Sequence, residues 1–244
     1  MMSRLIAVVG WLAVGHAALF GVFWTLLQVP ESNVLMLAAS ALLTVALVVL
    51  AAWIEGVGLN AWRAEGGLLH SARDGWRTIP AVLVGLLLFC VIWWLCGWMG
   101  AWWTAHRGET DAWLMLHFGW TRTTAVHRGI DWFLIFIRYA LGTSLALGLG
   151  WQIIVNGFHS IVSTGWLRAA FSPRQLALIV FSMTVFVWLP WQAAYWRPAW
   201  LAPDWQEPGF AAVKLGMIYL VANLGWALVL GAVATRGRFT RTTA

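Results

Sequence analysis

The 244-residue chain is 61% hydrophobic and only 10% Asp, Glu, Lys and Arg, against roughly a quarter charged in ordinary soluble domains. A mean hydropathy of +0.78 with 21 tryptophans excludes a water-soluble core, so lipid is the solvent for most of the chain. The net charge of +6 does not point to nucleic acid, because the arginines fall mostly between apolar runs, where membrane orientation explains them.

The first element, "MMSRLIAVVGWLAVGHAALFGVFWTLLQ", begins like a signal peptide, but its apolar run outlasts the usual h-region of about 7–15 residues. It is read as an uncleaved membrane span, Leu5–Gln28. Five more runs approach the ~20 apolar residues a crossing needs: Val34–Trp53, Pro80–Trp103, Trp132–Val155, Leu176–Trp196 and Phe210–Val233. Pro190 should kink or end the fifth. The fold class is therefore an all-α integral membrane protein, a bundle of about six transmembrane helices forming one polytopic domain over residues 1–244. Two amphipathic stretches, Leu59–Arg77 and Phe158–Pro173, carry arginines on one side and are expected to lie in the headgroup plane.

With the N-terminus inside, Arg4, Arg63, Arg73, Arg77, Arg168, Arg174, Arg236, Arg238 and Arg241 fall on the inner side, against Arg107, Arg122, Arg128 and Arg197 outside. The excess places both termini in the cytoplasm of a bacterial-type inner membrane. "LLHSARDGWRTIPAVLVGLLLF" and "GWLRAAFSPRQLALIVFSMTVF", 97 residues apart, both run from a basic stretch into a span. They suggest a parallel internal repeat with halves around 34–103 and 132–196.

Chemistry is sparse. Cys90 and Cys96 share one span at a spacing that allows neither a bridge nor a zinc motif. His16 lies mid-span without a second histidine at matching depth for haem, and is expected to hydrogen-bond a neighbouring helix. Glu55 is read as closing the second span at its cytoplasmic end, so that no carboxylate lies deep, an argument against proton or sodium coupling. Arg138 and Lys214 sit inside the fourth and sixth spans and are candidates for holding an anionic headgroup or substrate. The outer loop offers His106, Asp111 and His117 as an alternative metal set, although its spacing matches no zinc motif. No nucleophile elbow, Walker loop or dinucleotide fingerprint occurs, so no catalytic residue and no cofactor are predicted.

"VIWWLCGWMGAWWTAHRGETD" contains Trp93, Trp94, Trp98, Trp102 and Trp103 and then turns polar. Trp98, Trp102, Trp103, Trp132, Trp191 and Trp200 are read as interfacial anchors, an indole belt heavier on the outer side. The reading that accommodates all this is a non-catalytic inner-membrane protein, an accessory or scaffold subunit packing against lipids and other membrane subunits or itself. The alternatives are a permease or lipid-handling protein using Arg138 and Lys214, and an outer-face metal-dependent membrane enzyme.

Overall fold

The computed structural model describes residues 2–30, 32–63, 67–121, 123–194 and 208–239, and these are all-helical, with no strand among them. Helices α1 (Met2–Leu27), α2 (Val34–Arg63) and α3 (Gly67–Gly75) lead through a 3₁₀ turn, Trp76–Thr78, into α4 (Ile79–Ala105). Then come α5 (Arg107–Phe118) and α6 (Thr124–Ile135), which continues through a π-helical segment, Phe136–Leu141, into α7 (Gly142–Asn156). After a 3₁₀ turn, Phe158–Val162, the chain forms α8 (Gly165–Ala170) and α9 (Pro173–Met183), a second π segment (Thr184–Trp188), α10 (Leu189–Ala194) and finally α11 (Pro208–Phe239). Gly119 (φ +65°) and Gly157 (φ +81°) end α5 and α7 in a backbone conformation that costs other residues energy.

Five helical runs are long and apolar enough to cross a membrane: Met2–Leu27, Val34–Trp62, Gly67–Ala105, Thr124–Asn156 and Ala211–Ala234. The region expected to form the fifth of six spans is a shorter apolar helix, Pro173–Trp188, followed by α10. Its predicted end, Trp196, lies outside the described residues. The second span runs ten residues beyond the expected Trp53, to Arg63. The first interfacial stretch therefore reduces to α3 and its 3₁₀ turn, and the second becomes a 3₁₀ turn plus α8.

The chain divides into two units, Met1–Leu83 with Ala177–Ala244, and Val84–Leu176. The half-repeats expected around 34–103 and 132–196 each cross from one unit to the other.

In the first unit, α2 packs antiparallel on α1 and against α3 and α11. Its C-terminal half is buried at Ala52, Ile54, Val57, Leu59, Ala61 and Trp62, as are Val8 and Leu12 of α1 and Ala227, Leu230 and Val233 of α11. Missing side chains permit this approach. A Cβ on Gly15 would lie 2.8 Å from Ile54, and one on Gly231 2.8 Å from Trp62. Small residues take this role in membranes because lipid competes equally for apolar surface and close packing must drive association. Trp11 fastens the pair by donating from Nε1 to the Ile54 carbonyl at 3.0 Å, and Trp53 donates to the Ala72 carbonyl at 3.1 Å while stacking on Trp76. Away from this seam the helices expose Val14, Phe20, Val34, Leu35 and Leu42, the composition of a lipid-facing surface.

In the second unit, α7 is the buried element. Its "GTSLALGLG" segment lies against α4, where Gly85 faces the Ala146 carbonyl and Gly142 faces Phe89 and Ile92. Ser144 Oγ donates to the Ala170 carbonyl at 2.7 Å, and Gln175 Nε2 donates to Ser144 Oγ at 2.9 Å.

These glycines make a differential prediction. A Cβ at Gly85 would sit 2.7 Å from a backbone oxygen that cannot yield, whereas Gly10 has nothing within 4 Å. Gly85→Ala should lower unfolding stability in detergent by about 1–3 kcal/mol. Gly10→Ala should be neutral or raise it by up to about 1 kcal/mol through helix propensity. Thermal melts followed by circular dichroism check this, and equal effects would contradict the packing.

A candidate intramembrane proton-holding site

Three membrane-length helices meet around a polar cluster. His16 stands fourteen residues after Met2 and eleven before Leu27, so about 21 Å and 16 Å of helix separate it from the two ends of α1. Glu55 lies eight residues before the end of α2, about 12 Å from it. Asn223, Tyr219 and Trp226 come from the middle of α11. Glu55 therefore does not close its span as expected. The helix continues past it through the buried Val57, Leu59 and Ala61, which brings the carboxylate level with His16.

His16 Nδ1 is 2.8 Å from Asn223 Oδ1, and His16 Nε2 is 3.0 Å from Glu55 Oε1. The second carboxylate oxygen, Oε2, accepts from Trp226 Nε1 at 2.7 Å. Asn223 donates from Nδ2 to the Tyr219 carbonyl at 2.9 Å, and Tyr219 donates its hydroxyl hydrogen to the Ala13 carbonyl. Asn223 is itself buried.

The geometry fixes a proton count. Because the Asn223 amide nitrogen is committed to Tyr219, its oxygen faces Nδ1, which must carry a hydrogen. Nε2 then faces a carboxylate oxygen, and one further proton must lie between them, on Nε2 as imidazolium or on Glu55 as carboxylic acid. Either form is net neutral, which is how two ionisable groups are tolerated within a span. Removing that proton would set two lone pairs against each other at 3.0 Å. The cluster can thus hold a proton and pass it between nitrogen and oxygen. It also meets the expectation that His16 bonds a neighbouring helix, and does so on two helices.

The other predicted site residues are distributed as follows. Arg138 lies on the π segment of the second unit, its guanidinium carbon 4.0 Å from the Trp93 ring centroid. Lys214 lines a cleft of the first unit, about 310 Å³, with Val185, Leu189, Pro190, Met217 and Val221. His106 stacks on Trp102, with Nδ1 2.8 Å from the Trp102 carbonyl. His117 repeats that pattern on Trp113. Asp111 pairs with His127 at 2.8 Å instead. Among the described residues no three His, Cys, Asp or Glu side chains come together as a metal-binding group, so His106, Asp111 and His117 are not assembled there.

Of the tryptophans read as anchors, Trp98, Trp102 and Trp132 are exposed. Trp103 is only 8% exposed and meets His127 edge-on, with ring centroids 5.6 Å apart. The Trp191 side chain and all of Trp200 lie outside the described residues.

Pairing across α1 and α2 predicts a non-additive mutant cycle. His16→Leu and Glu55→Leu should each cost about 1–3 kcal/mol, since each strands the other's polar groups. The double variant should cost clearly less than their sum when unfolding is measured in detergent. Additive losses would mean the two side chains do not meet.

Comparison with families of known proteins, with curated proteins and with solved structures finds no match for the chain.

Proposed function

We propose that the protein is a non-catalytic multi-pass protein of a bacterial-type inner membrane, an accessory or scaffold subunit that packs against partner proteins or lipids. It has six spans, with α9, the π segment and α10 as the fifth, and both termini in the cytoplasm. The observation that carries this reading is the saturation of the His16–Glu55–Asn223 cluster. Both ring nitrogens, both carboxylate oxygens and both amide groups have protein partners. A cluster so occupied joins three helices, and its polar atoms are spent on bonds between them. Exposed apolar faces on α1 and α2 supply surface for lipid or a partner helix.

A second reading, a permease or lipid-handling protein for an anionic substrate, draws support from Arg138 and Lys214. Each lines a cleft, and each cleft includes or adjoins a π segment. Such segments recur at functional sites because they interrupt regular helix geometry.

Purified protein in liposomes, under a potassium diffusion potential and with a pH-sensitive dye inside, separates the scaffold from a proton-linked permease. The scaffold reading predicts proton flux equal to that of empty liposomes, together with a stoichiometric membrane subunit or lipid retained in mild detergent. Proton uptake abolished by Glu55→Gln would overturn it in favour of a proton-linked permease. The span count has its own test. A C-terminal green fluorescent protein fusion should fluoresce and an alkaline phosphatase fusion should be inactive, whereas an odd number of spans with a cytoplasmic N-terminus would reverse both.

A further inference from the structure

Within the second unit, Cys96, Gly97 and Gly100 of α4 face Asp131, Leu134 and Arg138 across a cleft of about 370 Å³. Arg138 enters it from the π segment Phe136–Leu141, inside the run Thr124–Asn156 that is long enough to span a membrane. A guanidinium there stays charged at any physiological pH and is costly without a counter-charge.

The protein holds this group without neutralising it. Trp93 lies under the guanidinium face, and Nη2 donates to the Trp93 carbonyl at 3.4 Å. Nε is buried with no acceptor among the described residues. Asp131 lines the same cleft, but Arg107 Nη2 holds both its oxygens, at 2.8 and 3.0 Å. Asp131 is thus paired with Arg107, and Arg138 has no carboxylate partner among the described residues. Gly97 keeps the wall open, since a Cβ there would come 3.2 Å from Arg138 Nη2. A flat guanidinium supported from one face, with N–H edges left over, is arranged to grip a group offering two or more anionic oxygens.

We propose that this cleft is a binding site for a phosphate-bearing anion, with Arg138 as the group that holds it. An acidic phospholipid headgroup and a soluble phosphate ester present the same oxygens to Arg138, and the site accepts that shared chemistry. The proposal holds for a scaffold carrying a bound lipid as well as for a permease, so it stands apart from the proton-flux result.

The test is native mass spectrometry of the full chain released from nanodiscs containing phosphatidylglycerol, with inorganic phosphate added in a parallel series. Wild type should retain one phosphatidylglycerol. Arg138→Gln, which removes the charge, should retain it about tenfold less, the scale of a lost charge-assisted hydrogen bond. Gly97→Val fills the cleft from the opposite wall while keeping the arginine, so it separates loss of the site from loss of the charge. It should show a similar drop with a melting temperature close to wild type. Displacement of the lipid by millimolar inorganic phosphate assigns the site to soluble esters, and resistance to displacement assigns it to the headgroup. Undiminished retention in either folded variant, or wild type binding neither probe, overturns the proposal.

Discussion

Helix association in this protein depends on one constraint: a polar side chain within a span must find its partner inside the protein, because lipid supplies none. His16, Glu55 and Asn223 satisfy one another across α1, α2 and α11. The surrounding glycines allow the helices close enough for bonds of 2.7–3.0 Å. Apolar packing alone would leave these helices free to slide, since Leu against lipid is nearly as good as Leu against Leu. The polar cluster fixes both which faces meet and at what height. Trp226 and Tyr219 add bonds from α11 to α2 and α1, so each pair among the three helices is tied by at least one side chain.

The second unit follows the same rule with different chemistry. Ser144, Ala170 and Gln175 join α7 to the segments after it, Arg107 holds Asp131, and His127 holds Asp111. Arg138 departs from the rule. It stacks on Trp93 and bonds one carbonyl, and it has no carboxylate partner among the described residues. That departure sets Arg138 apart from Arg107, His127 and His16, each of which meets a carboxylate.

The helical, membrane-spanning character was legible because long apolar runs with few charges have one stable solution in lipid. Glu55 was not legible as an intramembrane residue, because "WIEGVGLNAW" combines a carboxylate, two glycines and an asparagine, the composition of a loop. In the fold those glycines are packing positions. Gly58 lies against Leu230 and Gly56 against Thr78. The signal that was present is the apolar set continuing past Glu55, through Val57, Leu59, Ala61 and Trp62. Asn223 and Trp226 carried no local signal at all, since their roles arise only when α11 returns beside residues some 170 to 200 positions earlier. The tryptophan run was readable as outward-facing at Trp98 and Trp102. Trp103 turned inward because His127, on another helix, offers it a partner.

The His16–Glu55 pair puts a carboxylate within the second membrane-length helix, eight residues before its end. The pair also makes the account testable at a single contact. Solid-state NMR on bilayer samples labelled with ¹⁵N-histidine and ¹³C-glutamate reads the distance between His16 Nε2 and the Glu55 carboxyl carbon. A strong dipolar coupling, present in wild type and absent in Glu55→Leu, is the predicted result for an Nε2–Oε1 separation of 3.0 Å. Absence of that coupling in folded wild type would show that Glu55 does not meet His16 and contradict the arrangement of all three helices.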